Sequence, residues 1–353
     1  MATEKPMPAN ANEPAGRDPM TRPFDICCVG HMCTDVLIKP VDALPDRGKL
    51  QLLDSVHLKT GGCGMNASIG LAKLGNRVAM LGKVGKDGFG SFMRDALALH
   101  GVDVSGLVFE EGGATSASVV LLGSDGERSI LHCLGTNQTL CFEDVDTSLV
   151  KSARVLFIGG TFLMPSFDGM GAARLLAFAK DQGCVTAMDT AWDSTGRWLD
   201  IIEPCFASLD WFMPSIEEAE MITGLKDTAG MADFFKSRGV GNVAIKLGDK
   251  GCYLNAGEEF ALPPFKVECV DTAGSGDAWC SGFLTGLVRG MGVRDAARLG
   301  NAAGALCVTA IGTTDGLKDL DATMDFIREQ EGLNEKESLI EKASLEKKGD
   351  GLS

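Results

Sequence analysis

Two glycine-rich stretches carry the residues best suited to chemistry in this chain. The more telling is Asp271-Thr272-Ala273-Gly274-Ser275-Gly276-Asp277, followed by a helical run over 278–289. A glycine turn feeding a helix N-terminus gathers unpaired N–H groups at the positive end of the helix dipole, which makes an anion hole. The Asp277 carboxylate then has two readings. As a helix cap it satisfies backbone donors. As a general base it takes a proton from a hydroxyl that attacks a phosphate held in the hole. Capping alone gives no role to Asp271 or to the small residues between, so the base is the favoured reading. Ser275 lends the stretch a GxSxG look, but Ala273 stands where a nucleophile elbow has its first glycine, which sets a serine nucleophile aside.

The other stretch, Gly61-Gly62-Cys63-Gly64-Met65-Asn66, enters a second helix. Its glycines let a ligand approach the backbone, and the Asn66 amide offers both a donor and an acceptor. The dinucleotide fingerprint GxGxxG cannot be fitted to it, and by itself it is equally well explained as a glycine turn capped by Asn66. Neither the P-loop string GxxxxGK[ST] nor the HRD and DFG pair of protein kinases occurs, which removes those classes of phosphoryl transfer.

Both motifs sit in a rhythm of strand, glycine turn and helix. Apolar runs at 24–30, 77–82, 155–158, 185–188, 211–213 and 243–247 read as strands. Segments 66–74, 89–100, 171–180 and 216–223 read as helices. Such alternation predicts a parallel sheet covered on both faces. Segments 36–59 and 114–133 break the rhythm: they look extended, without helical period, and are expected to pair as a small second sheet. The expected fold is therefore α/β, a doubly wound and mostly parallel sheet with a small β-sheet lid. It forms one domain over 24–325, between an N-terminal tail (1–23) and a charged C-terminal tail (326–353). No repeat of 20–50 residues is visible.

Composition narrows the function classes. Hydrophobic residues make up 45% and charged residues 23% of the chain, a globular balance rather than a disordered one. The net charge of −15 argues against a general nucleic-acid or anionic-membrane binder, whose affinity would come from Lys and Arg. No apolar run reaches the ~18 residues of a membrane helix. The N-terminal residues lack an apolar signal-peptide core, so a cytoplasmic protein is expected, with the 12 cysteines serving mostly as small core residues. Cys27, Cys28, His31 and Cys33 cluster in sequence, but no second ligand pair completes a zinc site.

In this order, the two glycine stretches resemble the two signatures of the PfkB, or ribokinase-like, carbohydrate kinase family. The first fits through Gly61, Gly62, Gly64 and Asn66, with Gly75 and Gly85 at further family spacings. The second reads DTAGSGD where the family commonly has DTxGAGD, with Ser275 replacing Ala and Trp279 replacing a common Phe. The resemblance spans 24–325. It implies transfer of the γ-phosphoryl of ATP to a hydroxyl, usually a primary alcohol of a sugar or nucleoside. It makes Asp277 the base and the amides of Gly274, Ser275 and Gly276 the anion hole. Asp35 matches a hydroxyl-binding acid, and Gly62, Cys63, Gly64, Met65 and Asn66 match a second sugar-contacting stretch. Cys63 stands where ribokinase has Lys, and no acid stands within 159–162, where its further sugar-binding Glu would fall; both departures argue against ribose.

For the nucleotide, the resemblance assigns Lys246, Gly248 and Gly251 to a strand-to-turn contact and Asn301 to the vicinity of the adenine. Ser215 replaces the Asn of an Asn-x-x-Glu element whose acid, Glu218, would organise Mg²⁺ through water. Read without the family, Glu218 is equally a first-turn helix acid and Asp35 a turn residue. Some members bind a monovalent cation, here K⁺, at positions matching Asp271 and the backbone of Ala273, Cys307, Ala310, Gly312 and Gly316. The expected partner is a small sugar-like acceptor, with no nucleic acid or membrane, and dimers through the lid occur in the family. Rival readings are a nucleoside kinase and a catalytically silent binding protein. Two residues stay open: Arg128 reaches an anion or merely sits at a hairpin, and Asp189 faces the cleft or caps a helix; His132 reads as core or lid packing.

Overall fold

The run Phe24–Gly30 becomes the first strand because it can be buried on both sides. Cys27 and Val29 join one hydrophobic cluster, Ile26 and Cys28 the other. That two-sided burial is the mark of a parallel strand between helical layers. The structure, a computed structural model, describes residues 22–125 and 127–332. In chain order, the strands and helices begin with β1 (Phe24–Gly30), β2 (Cys33–Lys39), β3 (Ser55–Gly61), α1 (Cys63–Lys73), β4 (Val78–Gly85), α2 (Gly88–Leu99) and β5 (Asp103–Glu110). They continue with β6 (Ala117–Leu122), β7 (Arg128–Cys133), α3 (Thr147–Lys151), β8 (Ala153–Thr161), α4 (Met170–Asp181), β9 (Val185–Thr190) and α5 (Trp198–Ile202). The remainder are β10 (Trp211–Phe212), α6 (Ile216–Thr223), α7 (Thr228–Ser237), β11 (Asn242–Lys246), β12 (Cys252–Asn255), β13 (Glu259–Leu262), α8 (Ser275–Val288), α9 (Val293–Cys307) and α10 (320–332).

Nine strands form the main sheet in the order β13-β12-β11-β10-β9-β8-β1-β4-β5. From β11 through β5 every neighbouring pair is parallel, and the two antiparallel pairs, β11–β12 and β12–β13, lie at one edge. One core cluster joins a face of the sheet to α4, α6 and α7; the other joins the opposite face to α1, α2 and α8. Helix α8 is apolar on nearly all sides, with every residue from Asp277 to Gly286 buried, as suits a helix enclosed by its neighbours.

The two extended segments pair as expected, in a separate sheet of order β3-β2-β6-β7. All of β7 and most of β3 are exposed or half-exposed. The domain boundary at 325 needs correction. It falls inside α10, where Ile327 is buried against Leu299 and Ala302 of α9. The expectations for residues 1–21 and 333–353 lie outside the described residues.

Candidate active site

In the main sheet, β1 lies between β4 and β8, and the chain winds outward from it in both directions. A doubly wound sheet opens a crevice at such a reversal, beyond the C-terminal ends of its strands. Both glycine motifs deliver a helix N-terminus there. Gly62 caps α1 with φ 91°, and a Cβ on it would stand 2.6 Å from the His31 carbonyl oxygen. That close approach lets the amides of Gly64 and Met65 donate to His31 O, which ties α1 to the end of β1. Gly274 starts α8 with φ 76°, and a Cβ there would stand 2.2 Å from Thr313 O.

No side chain caps α8. Its Ser275 amide donates to Thr272 O at 3.3 Å and its Ala278 amide to Gly274 O at 2.8 Å. Among the described residues, the amides of Gly276 and Asp277 find no protein acceptor. The amides of Gly274 and Gly276 from the expected set thus have no acceptor among the described residues, that of Asp277 joins them, and that of Ser275 is partly spent on the turn.

The Asp277 side chain points toward the first motif. Asn66 Nδ2 donates to its Oδ2 at 2.8 Å, and Thr313 Oγ1 donates to Asn66 Oδ1 at 2.8 Å, so the Asn66 amide is fixed in orientation. Both Asn66 and Asp277 are buried. Burial pushes the Asp277 carboxyl above its ordinary value; the Asn66 bond, the Lys246 charge and the Cys63 thiol pull against it without cancelling it. Once ionised, a carboxylate held this way is a better proton acceptor than an exposed aspartate.

Lys246 ends β11 and forms a buried ion pair with Asp189 of β9, at 2.6 and 2.7 Å from its two oxygens. Asp189 therefore faces Lys246, which lines the crevice, and caps no helix. Ser215 is the N-cap of α6 and makes a reciprocal capping box with Glu218. Glu218 Oε2 accepts from Ser215 N and from Thr190 Oγ1, both at 2.8 Å. Glu218 thus fills the helix-start role and, with its carboxyl pushed up by burial and by Asp189, also belongs to the charged cluster.

A cavity of about 480 Å³ opens beside α8. Its lining includes Gly276, Lys246, Gly248 and Gly251 together with the apolar side chains of Phe265, Val267, Trp279 and Val308. Asn301 also lines it, but its amide is committed: Oδ1 accepts from Trp279 Nε1 at 2.8 Å and Nδ2 donates to Pro263 O at 2.9 Å. It braces the wall rather than offering a free group to a base.

Asp35, on β2, accepts from Cys33 Sγ at 3.5 Å, and burial pushes its carboxyl up. Beside it, His132 Nδ1 lies 3.1 Å from Ser118 Oγ, and its ring meets His31 edge-on at 5.6 Å. His31 is buried with neither ring nitrogen partnered, and burial brings it down to about 3, so it stays neutral. Sequence reading reaches His31 only as a member of an incomplete zinc cluster; its missing partners emerge in the fold.

Arg128 sits exposed at the start of β7, beside the β6–β7 hairpin turn as expected, and from there pairs with Asp271 Oδ1 at 2.9 Å. Lys59 of β3 pairs with Asp315 at 3.3 Å, a second tie from lid to body. Asp271 also accepts from the amides of Ala273 and Gly312, at 3.0 and 3.1 Å. The carbonyls of Leu306 and Cys307 converge on Gly316, where a Cβ would stand 2.0 and 2.7 Å from them.

Comparison with known proteins bears on this site. The description "pfkB family carbohydrate kinase" matches residues 24–320. The 2-dehydro-3-deoxygluconokinase of Bacillus subtilis is 30% identical, over 80% of this chain and 91% of its own. The 5-dehydro-2-deoxygluconokinase of Clostridium perfringens is 28% identical, over 88% of this chain and 94% of its own. In architecture, the Arabidopsis thaliana ribokinase solved with ribose and ATP superposes with a TM-score of 0.77 at 24% identity, covering 86% of this chain and 98% of that one. With the family match running from β1 to the start of α10, and the paired motifs meeting in one crevice, the chain belongs to the PfkB family of carbohydrate kinases.

Proposed function

We propose that this carbohydrate kinase moves the γ-phosphoryl of ATP to a hydroxyl of a sugar or sugar acid, with Asp277 as general base. One observation carries the reading: the Asp277 carboxylate, oriented by Asn66, stands at the uncapped N-terminus of α8, beside the cavity. The cavity suits ATP, since its lining offers apolar side chains to a flat base and the start of α8 with Lys246 to phosphates. Bound ATP supplies the phosphoryl group. The chain's own part is to hold its charge on the α8 amides, orient the acceptor, and take the hydroxyl proton onto Asp277. Glu218 offers a single carboxylate, and no cluster of three metal-ligating side chains exists among the described residues. That donor set fits Mg²⁺ kept mostly by phosphates and water.

The test is an ADP-release screen over sugars, sugar acids and nucleosides, with Asp277→Asn as the blank. The acceptors in the two relatives' names, 2-dehydro-3-deoxygluconate and 5-dehydro-2-deoxygluconate, head it. No acceptor-dependent ADP release from the wild type would remove the reading.

In the same reading Asp35 grips acceptor hydroxyls, since a carboxylate accepts two hydrogen bonds at once. Asp35→Ala should raise the acceptor KM about tenfold or more, the worth of a charge-assisted hydrogen bond, with kcat less affected. An unchanged KM refutes the role. Asp271, with the backbone of Ala273, Cys307, Ala310, Gly312 and Gly316, forms the proposed K⁺ site; turnover that is equal in K⁺ and in a large organic cation removes it.

A lid-mediated dimer is proposed from the lid's exposed apolar side chains, Leu50, Leu52, Val56, Leu58, Ile130 and Leu131. Light scattering should give twice the chain mass, and Leu131→Lys should halve it. A monomeric wild type rejects the dimer.

A further inference from the structure

Lys246 and Asp189 form an ion pair that stability alone does not explain. Asp189 is 1% and Lys246 9% exposed, and a buried ion pair is generally no more stabilising than apolar side chains of like volume. What distinguishes this pair is its place. Lys246 lines the cavity, and a Cβ on Gly276 would stand 3.3 Å from its Nζ, so the ammonium lies against the second residue of α8. Asp189 is itself held, by the Thr190 amide at 2.8 Å and the Cys280 thiol at 3.4 Å. A lysine has a flexible four-carbon stem and, when buried, gives up its proton readily. Both tendencies would spoil it as a fixed positive charge.

We propose that Asp189 is a positioning residue of the phosphate end of the cavity: its carboxylate holds Lys246 charged and fixed beside the α8 amides, so that a nucleotide's phosphates meet a preset cation. This rests on the ATP reading above. The groups facing Lys246 are Asp189 from β9, Glu218 from α6, Cys280 from α8 and, at longer range, Asp277 from α8 and Cys63 from α1. Burial draws the lysine's pKa down, and the Asp189 charge, with Cys280 and Glu218, more than reverses it. Asp189 is the largest of the opposing influences, so its loss exposes Lys246 to the effect of burial.

The experiment is calorimetric titration of the full chain with MgATP and, separately, with adenosine, which lacks the phosphates. Asp189→Asn should weaken MgATP about tenfold near pH 7, the worth of one charge-assisted contact, and leave adenosine unchanged. The deficit should widen toward about pH 9, as Lys246 loses its proton, while the wild type stays level. A merely structural role would not produce that pH dependence. Asp189→Asn combined with Lys246→Met should bind MgATP no more weakly than Lys246→Met alone, because no charge remains to be positioned. That pair of variants also carries the test if the single Asp189→Asn chain does not fold. Unimpaired MgATP binding by Asp189→Asn, a parallel loss of adenosine, or additive losses in the double variant would each overturn the proposal. A wild type that binds no MgATP removes the ATP reading and this proposal together; binding that survives Asp189→Asn removes the proposal alone.

Discussion

Asp277→Asn should lower kcat by about 10²–10⁴-fold, the usual contribution of a positioned general base, while the affinities for MgATP and acceptor change little. The substitution keeps the size of the side chain and the burial it has in α8. It removes the lone pair that takes the proton and leaves Asn66 Nδ2 facing an amide rather than a carboxylate. The wild-type pH profile supplies a second check. Burial raises the Asp277 carboxyl above its ordinary value. The active form is ionised, so kcat/KM should fall as pH drops through that raised value, and the fall should begin at a higher pH than for an exposed aspartate. Steady-state kinetics over a pH series measure both. Full activity in Asp277→Asn would refute the base.

Gly274→Ala should be nearly as damaging, for a different reason. At φ 76° the backbone is in a region that costs an L-residue roughly 1–2 kcal/mol. The added Cβ would also stand 2.2 Å from Thr313 O, a backbone atom that cannot swing away like a side chain. Relief requires moving either the start of α8 or the 308–318 loop. Thr313 orients Asn66, so the disturbance reaches Asp277 from both sides. Misplacing amides that stabilise developing charge costs about 10²–10³-fold in kcat. A modest loss of thermal stability with kcat down by that factor is the expected pair of results. A folded Gly274→Ala chain with wild-type kcat would show that the turn does not set the hole.

The scaffold was legible because its signals are local. The strand Phe24–Gly30 and the helix Ile216–Thr223 were readable to the residue, since continuous apolar runs and capping residues mark them. The hairpin β12–β13 was passed over, although Asn255-Ala256-Gly257 between apolar runs is a turn signal and Gly257 has φ 81°. The C-terminal boundary misled because charge on the outer face of α10 reads as a tail, while Ile327 and Phe326 on its inner face pack. At the site, spacing and resemblance suggested which residues matter, but not what each touches. Asn66 and Asp277 lie 211 positions apart, Lys246 and Asp189 57 apart, and such pairings depend on how strands cross in the sheet. The same holds for Asn301: its neighbours Trp279 and Pro263, distant in sequence, consume its amide.

The ties from Arg128 to Asp271 and from Lys59 to Asp315 are more than a third exposed on at least one partner. Contacts of that kind contribute about 0–1 kcal/mol each and weaken with salt. Fastened so lightly, the small sheet would part from the body at little cost in free energy. Because the Arg128 latch grips the strip that begins the anion hole, each opening also tugs on the phosphate cradle. Under the proposed function, the step that lets product escape would be mechanically joined to the one that loosens its charged end.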